Sequence, residues 1–219
     1  DLHKVLKDSI KLLQALVDVV ASQGWLKPAV AAMELSQMLV QGMWDKDSVL
    51  LQIPHFTADT VGRMRDAGVE SVFDVLEMDD QLRESVLQLP QTSMSDVAMF
   101  CNSYPNVELS FQLDIDGPVE PGAAVTVLVD LQREMGEEED EDEDSIGRVV
   151  SPRYPCPKSE SWWLLVGDKK TNSLLSVKRV TLAAKLKSKL QFTAPDFIGV
   201  HNLTLYFMSD SYLGVDQVS

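Results

Sequence analysis

Lys185, Lys187 and Lys189 recur at every second residue of "KLKSKLQF", a period that in a strand sends all three to one face while Leu186, Leu190 and Phe192 turn inward. Lys178 and Arg179 precede them on the neighbouring strand, and Lys169 and Lys170 sit in the hairpin turn after the tryptophans. Such a row of cations suits phosphates or an acidic protein. It equally suits a solvated strand face whose lysines discourage edge-to-edge pairing. A second row, Lys4, Lys7, Lys11 and Gln14, has the three- and four-residue spacing of one helix face. By itself a helical row of three lysines is as readily a solvated face. A third feature is Trp162 beside Trp163 in "SESWWLLVG". In a strand the two indoles point to opposite faces, so a core on one side buries only one. The other serves as a stacking platform, a partner contact or a joint to another layer.

Catalytic chemistry finds no foothold. There is no G-x-x-x-x-G-K-[ST] phosphate loop, no G-x-G-x-x-G and no G-x-S-x-G elbow. His3, His55 and His201 are scattered without paired metal-ligand spacing. The acids sit in one charged run or on helix surfaces, where nothing splits two pKa values into an acid and a base. We therefore expect no catalytic site, metal or cofactor in this segment.

Three regions must position these residues. Residues 1–50 read as helices, the C-terminal part of a bundle. Val5, Leu6, Leu12, Leu13, Leu16, Val19 and Val20 form an apolar stripe, Gly24 stops the first helix, and a second runs from about Ala29 to Trp44 with Met33, Leu35, Met38, Leu39 and Met43. Residues 51–104 form a helix-loop-helix unit, with a helix from about Thr57, a stop at Gly68, "ESVFDVLEM", and a helix across Met94 to Cys101. The plan is related to helix-hairpin-helix units, which offer turn amides to phosphate, but "PHF" stands in place of a Gly-x-Gly turn. Residues 105–219 change to period two, in "VELSFQLDI", "AAVTVLVDLQR", "WWLLVG", "SLLSVKRV", "KLKSKLQFTA" and "HNLTLYFMSD". Six such strands point to an antiparallel β-sandwich of fibronectin or immunoglobulin type, its closing edge left unfinished by "YLGVDQVS". The chain is thus expected to be an α+β multidomain segment.

The net charge of −15 is concentrated in "EMGEEEDEDED", residues 134–144; without its nine carboxylates it is −6, and from Arg148 onward it is +5. A like-charge block of this kind predicts a disordered loop over about 134–147, a solubilising device, a fender against RNA or a dock for a basic partner. No stretch approaches the roughly 18 apolar residues that cross a bilayer. Two cysteines, Cys101 and Cys156, make no disulfide framework, which favours a reducing compartment. The amphipathic opening "DLHKVLKDSIKLLQALVDVV", without a start methionine, reads as a helix within a longer chain.

The phrases "GWLKPAVAAMELSQMLVQGMW", "IPHF", "GVESVFDVLEM", "CNSYPNVELSF", "SESWWLLVGDKKTNSLLSVKRVTL" and "LTLYFMSDSYLGVDQ" occur here in order. Together they resemble the Sec sixty-three homology unit, in the form found at the C-terminus of large two-cassette spliceosomal snRNP helicases. The resemblance covers essentially the whole chain. It implies a non-catalytic tail module of a nuclear, ATP-dependent RNA helicase, a protein-interaction and regulatory platform in snRNA unwinding and pre-mRNA splicing. The implied partners are spliceosomal proteins, the large snRNP scaffold among them, with RNA in the parent complex and no membrane; the segment itself is expected to be monomeric. The first helix corresponds to the long bundle helix that contacts the translocating strand in active cassettes, which would turn Lys4, Lys7, Lys11 and Gln14 toward that channel. Two alternatives stay open: an RNA-strand-guiding segment, using that helix with Lys178, Arg179, Lys185, Lys187 and Lys189, and the related unit of an endoplasmic-reticulum protein-translocation factor. Trp162 and Trp163 are the candidate interface residues, one for the sandwich core and the other for the helices or a partner.

Overall fold

The structure, a computed structural model, describes residues 2–134 and 146–219. The acidic loop expected over about 134–147 lies almost wholly outside these. Helix α1 spans Leu2–Ser22, and its chain turns at Gly24, whose φ of +69° suits glycine. The stripe anticipated on α1 is in fact two. Ile10, Val17 and Val20 are buried, with Leu6 and Leu13 half-buried along the same seam, whereas Val5, Leu12, Leu16 and Val19 are exposed. A rotation of about 100° per residue sets these four beside the buried seam, and one packed layer covers only about 100° of a helix.

Helix α2 spans Leu26–Gln41 and ends at Gly42 in the left-handed conformation. Arg153 donates to the terminal carbonyls of Gln41 and Gly42, as cations do at helix C-termini. The face of α2 that is buried is not the methionine-leucine stripe alone: it runs Leu26, Ala29, Ala32, Met33, Ser36, Gln37, Val40 and Gln41, and Leu35 is exposed.

A 3-10 turn over Val49–Gln52 leads into α3 (Ala58–Asp66), α4 (Val72–Glu77), α5 (Asp80–Leu87) and α6 (Gln91–Ser103). Thr57, Ser71 and Asp79 cap the first three of these helices, and Ser71 with Asp74 forms a reciprocal capping box. Backbone and side-chain hydrogen bonds at that box hold the Asp74 carboxyl below its ordinary pKa. Helix α5 is unforeseen by periodicity, being short and largely polar.

All six stretches with period-two alternation form strands: β1 (Val107–Asp114), β2 (Ala124–Arg133), β3 (Trp162–Asp168), β4 (Ser173–Val180), β5 (Lys185–Thr193) and β6 (Thr204–Ser209). A two-residue strand, β7 (Gln217–Val218), pairs with β6. They make two antiparallel sheets, ordered β1-β2-β5 and β4-β3-β6-β7. Between them lie Val125, Val127, Val129 and Leu131 of β2, Trp162, Leu164 and Val166 of β3, and Leu190 and Phe192 of β5; this core is continuous with the one inside α3, α4 and α6. Phe100, Tyr104 and Tyr212 carry it across, their ring centroids 5.5 to 6.0 Å apart. A second, separate core lies on the far side of the four-stranded sheet, under α1 and α2.

Candidate functional site

Strand β3 is central in its sheet, paired with β4 on one side and β6 on the other, so its two faces are set by parity alone. Trp162 faces the other sheet, stacked on Phe207 at 4.3 Å between centroids and 11° between planes. Its indole N–H donates to Glu160 at 3.4 Å, and Glu160 in turn pairs with Arg133, both of them buried. Trp163 faces the helices. With Leu165, Leu174, Tyr206 and Met208 it forms a floor on which Val17 and Val20 of α1 and Leu26, Ala29, Ala32 and Met33 of α2 rest. Both indoles are fully enclosed, so neither is a free stacking platform. Gly167 makes the close approach feasible: a Cβ there would lie 2.6 Å from Leu26 Cδ1.

Beside this apolar floor runs a polar joint. The side-chain amides of Gln37, Gln41 and Gln52 donate to the carbonyls of Ser209, Ser211 and Leu213 at 2.8, 2.8 and 2.9 Å. Ser36 donates to the Asp210 carbonyl at 3.0 Å and Tyr104 to that of Leu213 at 2.6 Å. Five side chains from α2, the 3-10 turn and the end of α6 thus bind the main chain of one five-residue segment. Asp216 accepts from Gln37 at 2.8 Å and from the Ser209 N–H at 2.7 Å. Burial nevertheless pushes its carboxyl up to about 6, with the nearby Glu34 charge adding to the rise. Lys158 and Asp210 form a further buried ion pair at 2.5 Å. Sequence reasoning passed over these groups, although Ser36, Gln37 and Gln41 share the helical repeat of Ala29, Met33 and Val40. Polar residues on an otherwise apolar face are the mark of buried hydrogen bonds.

The cationic residues do not form one surface. Arg179 pairs with Trp163 in register and so faces α1; its guanidinium lies 5.8 Å over the Trp163 ring and donates to the Gln14 carbonyl at 2.9 Å and to Asp18 at 3.2 Å. Lys178, one residue away, lies on the opposite face and reaches the Lys189 carbonyl at 3.5 Å across the corner between sheets. Lys185, Lys187 and Lys189 line the outer face of the three-stranded sheet, where Lys187 pairs with Asp130 at 3.2 Å. Lys4, Lys7 and Lys11 are exposed on α1, Lys11 being 3.9 Å from Asp8, and Gln14 is half-buried. The structure therefore brings Gln14 and Arg179 together, and Lys178 with Lys189.

Among the described residues, no three His, Cys, Asp or Glu side chains are grouped to hold a metal ion, and no helix is long and apolar enough to cross a membrane. The Sec63 Brl domain matches residues 1–219, the whole chain. The U5 small nuclear ribonucleoprotein 200 kDa helicase of Homo sapiens is 51% identical over 217 residues, which are 99% of this chain and 10% of that protein. The DExH-box ATP-dependent RNA helicase DExH12 of Arabidopsis thaliana is 49% identical over 220 residues, again 99% and 10%. The activating signal cointegrator 1 complex subunit 3-like protein of Dictyostelium discoideum is 42% identical over 216 residues, 97% and 10%. The chain thus spans about a tenth of the length of these relatives.

Proposed function

The chain belongs to the Sec63 Brl domain family, and from that membership we propose that it is a non-catalytic interaction and regulatory module of a nuclear, ATP-dependent spliceosomal RNA helicase. In this reading residues 1–50 are part of a helical bundle, 51–104 a helix-loop-helix unit, and 105–219 an immunoglobulin-like sandwich. Its partners are other spliceosomal proteins. The names of the relatives support the setting. The observation that carries the role is an enclosed joint that holds helices and sheets together while large apolar side chains stay outside it. Trp44 is 65% exposed and Trp25 52% exposed on that body. Exposed tryptophans on a rigid scaffold are the usual anchors of protein interfaces. Replacing each with Ala in the full-length helicase should weaken at least one identified spliceosomal partner by about tenfold or more and leave RNA-stimulated ATP hydrolysis unchanged. Unaltered affinity for every tested splicing factor with both variants would sink the reading.

A second reading, RNA guiding along α1, is favoured by the exposure of Lys4, Lys7 and Lys11 on one helix. It predicts that charge removal at all three lowers RNA affinity and flattens its salt dependence, by roughly one counterion for each phosphate no longer neutralised. An unchanged salt slope refutes it. In neither reading does Arg179 join an RNA surface, since it is engaged with Asp18 and the Gln14 carbonyl.

A further inference from the structure

A groove of about 380 Å³ opens where α2 passes over the turn between β3 and β4. Lys27, Val30, Ala31 and Glu34 line it from α2 at spacings of three and four residues, which is one face of the helix. Leu26, Tyr206 of β6 and Lys169 of the turn complete it. Apolar side chains thus form the bed, with Lys27 and Lys169 at one end and Glu34 at the other. The two walls are fixed to each other. The Asn172 carbonyl accepts the Leu26 N–H at 3.1 Å, and its side-chain oxygen accepts the Lys27 N–H at 2.8 Å. Asn172 holds a left-handed φ of +59° to do both. The first amides of α2 are therefore engaged, and recognition of an anion here falls to side chains.

Lys27 and Lys169 are exposed and have no carboxylate partner among the described residues. Lys169 Nζ lies 5.5 Å from the centre of the Tyr206 ring. Tyr206 is only 7% exposed, and its hydroxyl has no hydrogen-bond partner among the described residues. A phenol enclosed to that extent ordinarily finds one. We propose that the groove binds an acidic peptide segment of a partner protein. Its carboxylate sits between Lys27 and Lys169, an apolar side chain two residues away rests on Leu26, Val30 and Ala31, and the Tyr206 hydroxyl donates to a carbonyl between the two. In an extended segment alternate side chains point the same way about 6.6 Å apart. Lys27 and Ala31 are separated by about 6 Å of helix rise, which matches. Glu34 repels a second acid further along, so the segment is acidic at one end only. RNA fits less well, because the Tyr206 ring is covered instead of open to a base and Glu34 opposes the next phosphate. The proposal rests on the reading of the chain as an interaction module, and adds to it the place and chemistry of one contact.

The test uses the full-length helicase and a peptide with one glutamate, and photo-leucine two residues later, in a glycine–serine background. Irradiation should label residues 26–31, about tenfold or more above a control peptide in which lysine replaces the glutamate. Charge reversal by Lys27→Glu with Lys169→Glu should invert that preference; both side chains are exposed, so the fold is kept. Tyr206→Phe should reduce labelling several-fold while its ring stays in the core beneath α2. Equal labelling by the two peptides, labelling away from the groove, or an unchanged preference after charge reversal overturns the assignment. So does a 4-thiouridine RNA oligonucleotide that crosslinks to Lys27 or Lys169 and displaces the glutamate peptide, since the site is then one for nucleic acid. Trp25 and Trp44 lie outside the groove lining. The interaction reading therefore fails on those variants and this assignment fails on the peptides, each without the other.

Discussion

The two faces of β3 have the same apolar composition and do different work. On the face turned to the other sheet, Trp162 stacks on Phe207 and its N–H is met by Glu160, itself paired with Arg133. On the face turned to the helices, Trp163 is equally enclosed, but its indole nitrogen is buried without an acceptor and a guanidinium lies over its ring. The first face belongs to the core between the two sheets. The second is the floor of a separate core, which α1 and α2 complete only by resting on the sheet. Burial alone does not distinguish them; the polar groups at the rim do.

Substitutions at the two tryptophans break this comparison most sharply. Trp162→Ala should cost about 3–5 kcal/mol and lower the cooperative unfolding transition of the whole chain. Trp163→Ala should act at the lower end of that range, and hydrogen exchange should locate the loss at α1, α2 and the β3 face beneath them. Trp163→Phe should be milder than Trp162→Phe, because only Trp162 has a hydrogen-bond acceptor to abandon. A single global transition lowered equally by both alanine variants, with no local exchange at α1 and α2, would mean that the two faces are one cooperative unit.

Next in size is the pH response of the joint. The Asp216 carboxyl is raised from 3.8 to about 6 on folding, so the folded state binds its proton more tightly than the unfolded chain. Stability is therefore greatest below about pH 4 as far as this group is concerned, and falls as the pH rises through 6, by up to about 3 kcal/mol. Asp216→Asn should remove that slope, measured by denaturant titration between pH 4 and 7. Gly167→Ala comes third. The added methyl meets Leu26 and should cost about 1–3 kcal/mol, and combining it with Leu26→Ala should cost less than the sum of the two single changes. Arg179→Ala is the smallest, under about 1 kcal/mol for an exposed ion pair and readily masked by salt.

Much of the sheet portion was legible in the sequence because a period of two assigns faces without knowledge of what covers them. Every alternating stretch became a strand, and the parity of Trp162 and Trp163 was plain from their adjacency. Helices are harder, since an apolar stripe does not say which arc a neighbour covers. On α1 the buried seam through Ile10 and Val17 and the exposed strip through Leu12 and Leu16 lie side by side and merge when read as hydropathy. On α2 the opposite difficulty arises, for Gln37 and Gln41 look like surface residues until the carbonyls they meet are in place. Helix α5 carries too few apolar residues to announce itself and is fixed by its Asp79 cap and its neighbours. The lysines on β5 were correctly turned outward, but adjacency in sequence hid that Lys178 and Arg179 occupy opposite faces of a different sheet.

Along residues 209–213 the amides of Gln37, Gln41 and Gln52 grip carbonyl oxygens and not side chains. A grip of that sort is blind to spelling. Residues 209, 211 and 213 offer it the same atom whatever side chain they carry, so the grip itself sets no demand on their identity; that demand comes from the buried Asp210–Lys158 pair and the enclosed Tyr212 ring between them. What it does not tolerate is a change in contour: an inserted or deleted residue between Ser209 and Leu213 would shift the carbonyls out of step with the three glutamines. At this joint the glutamines read length, and only the packing around Asp210 and Tyr212 reads identity.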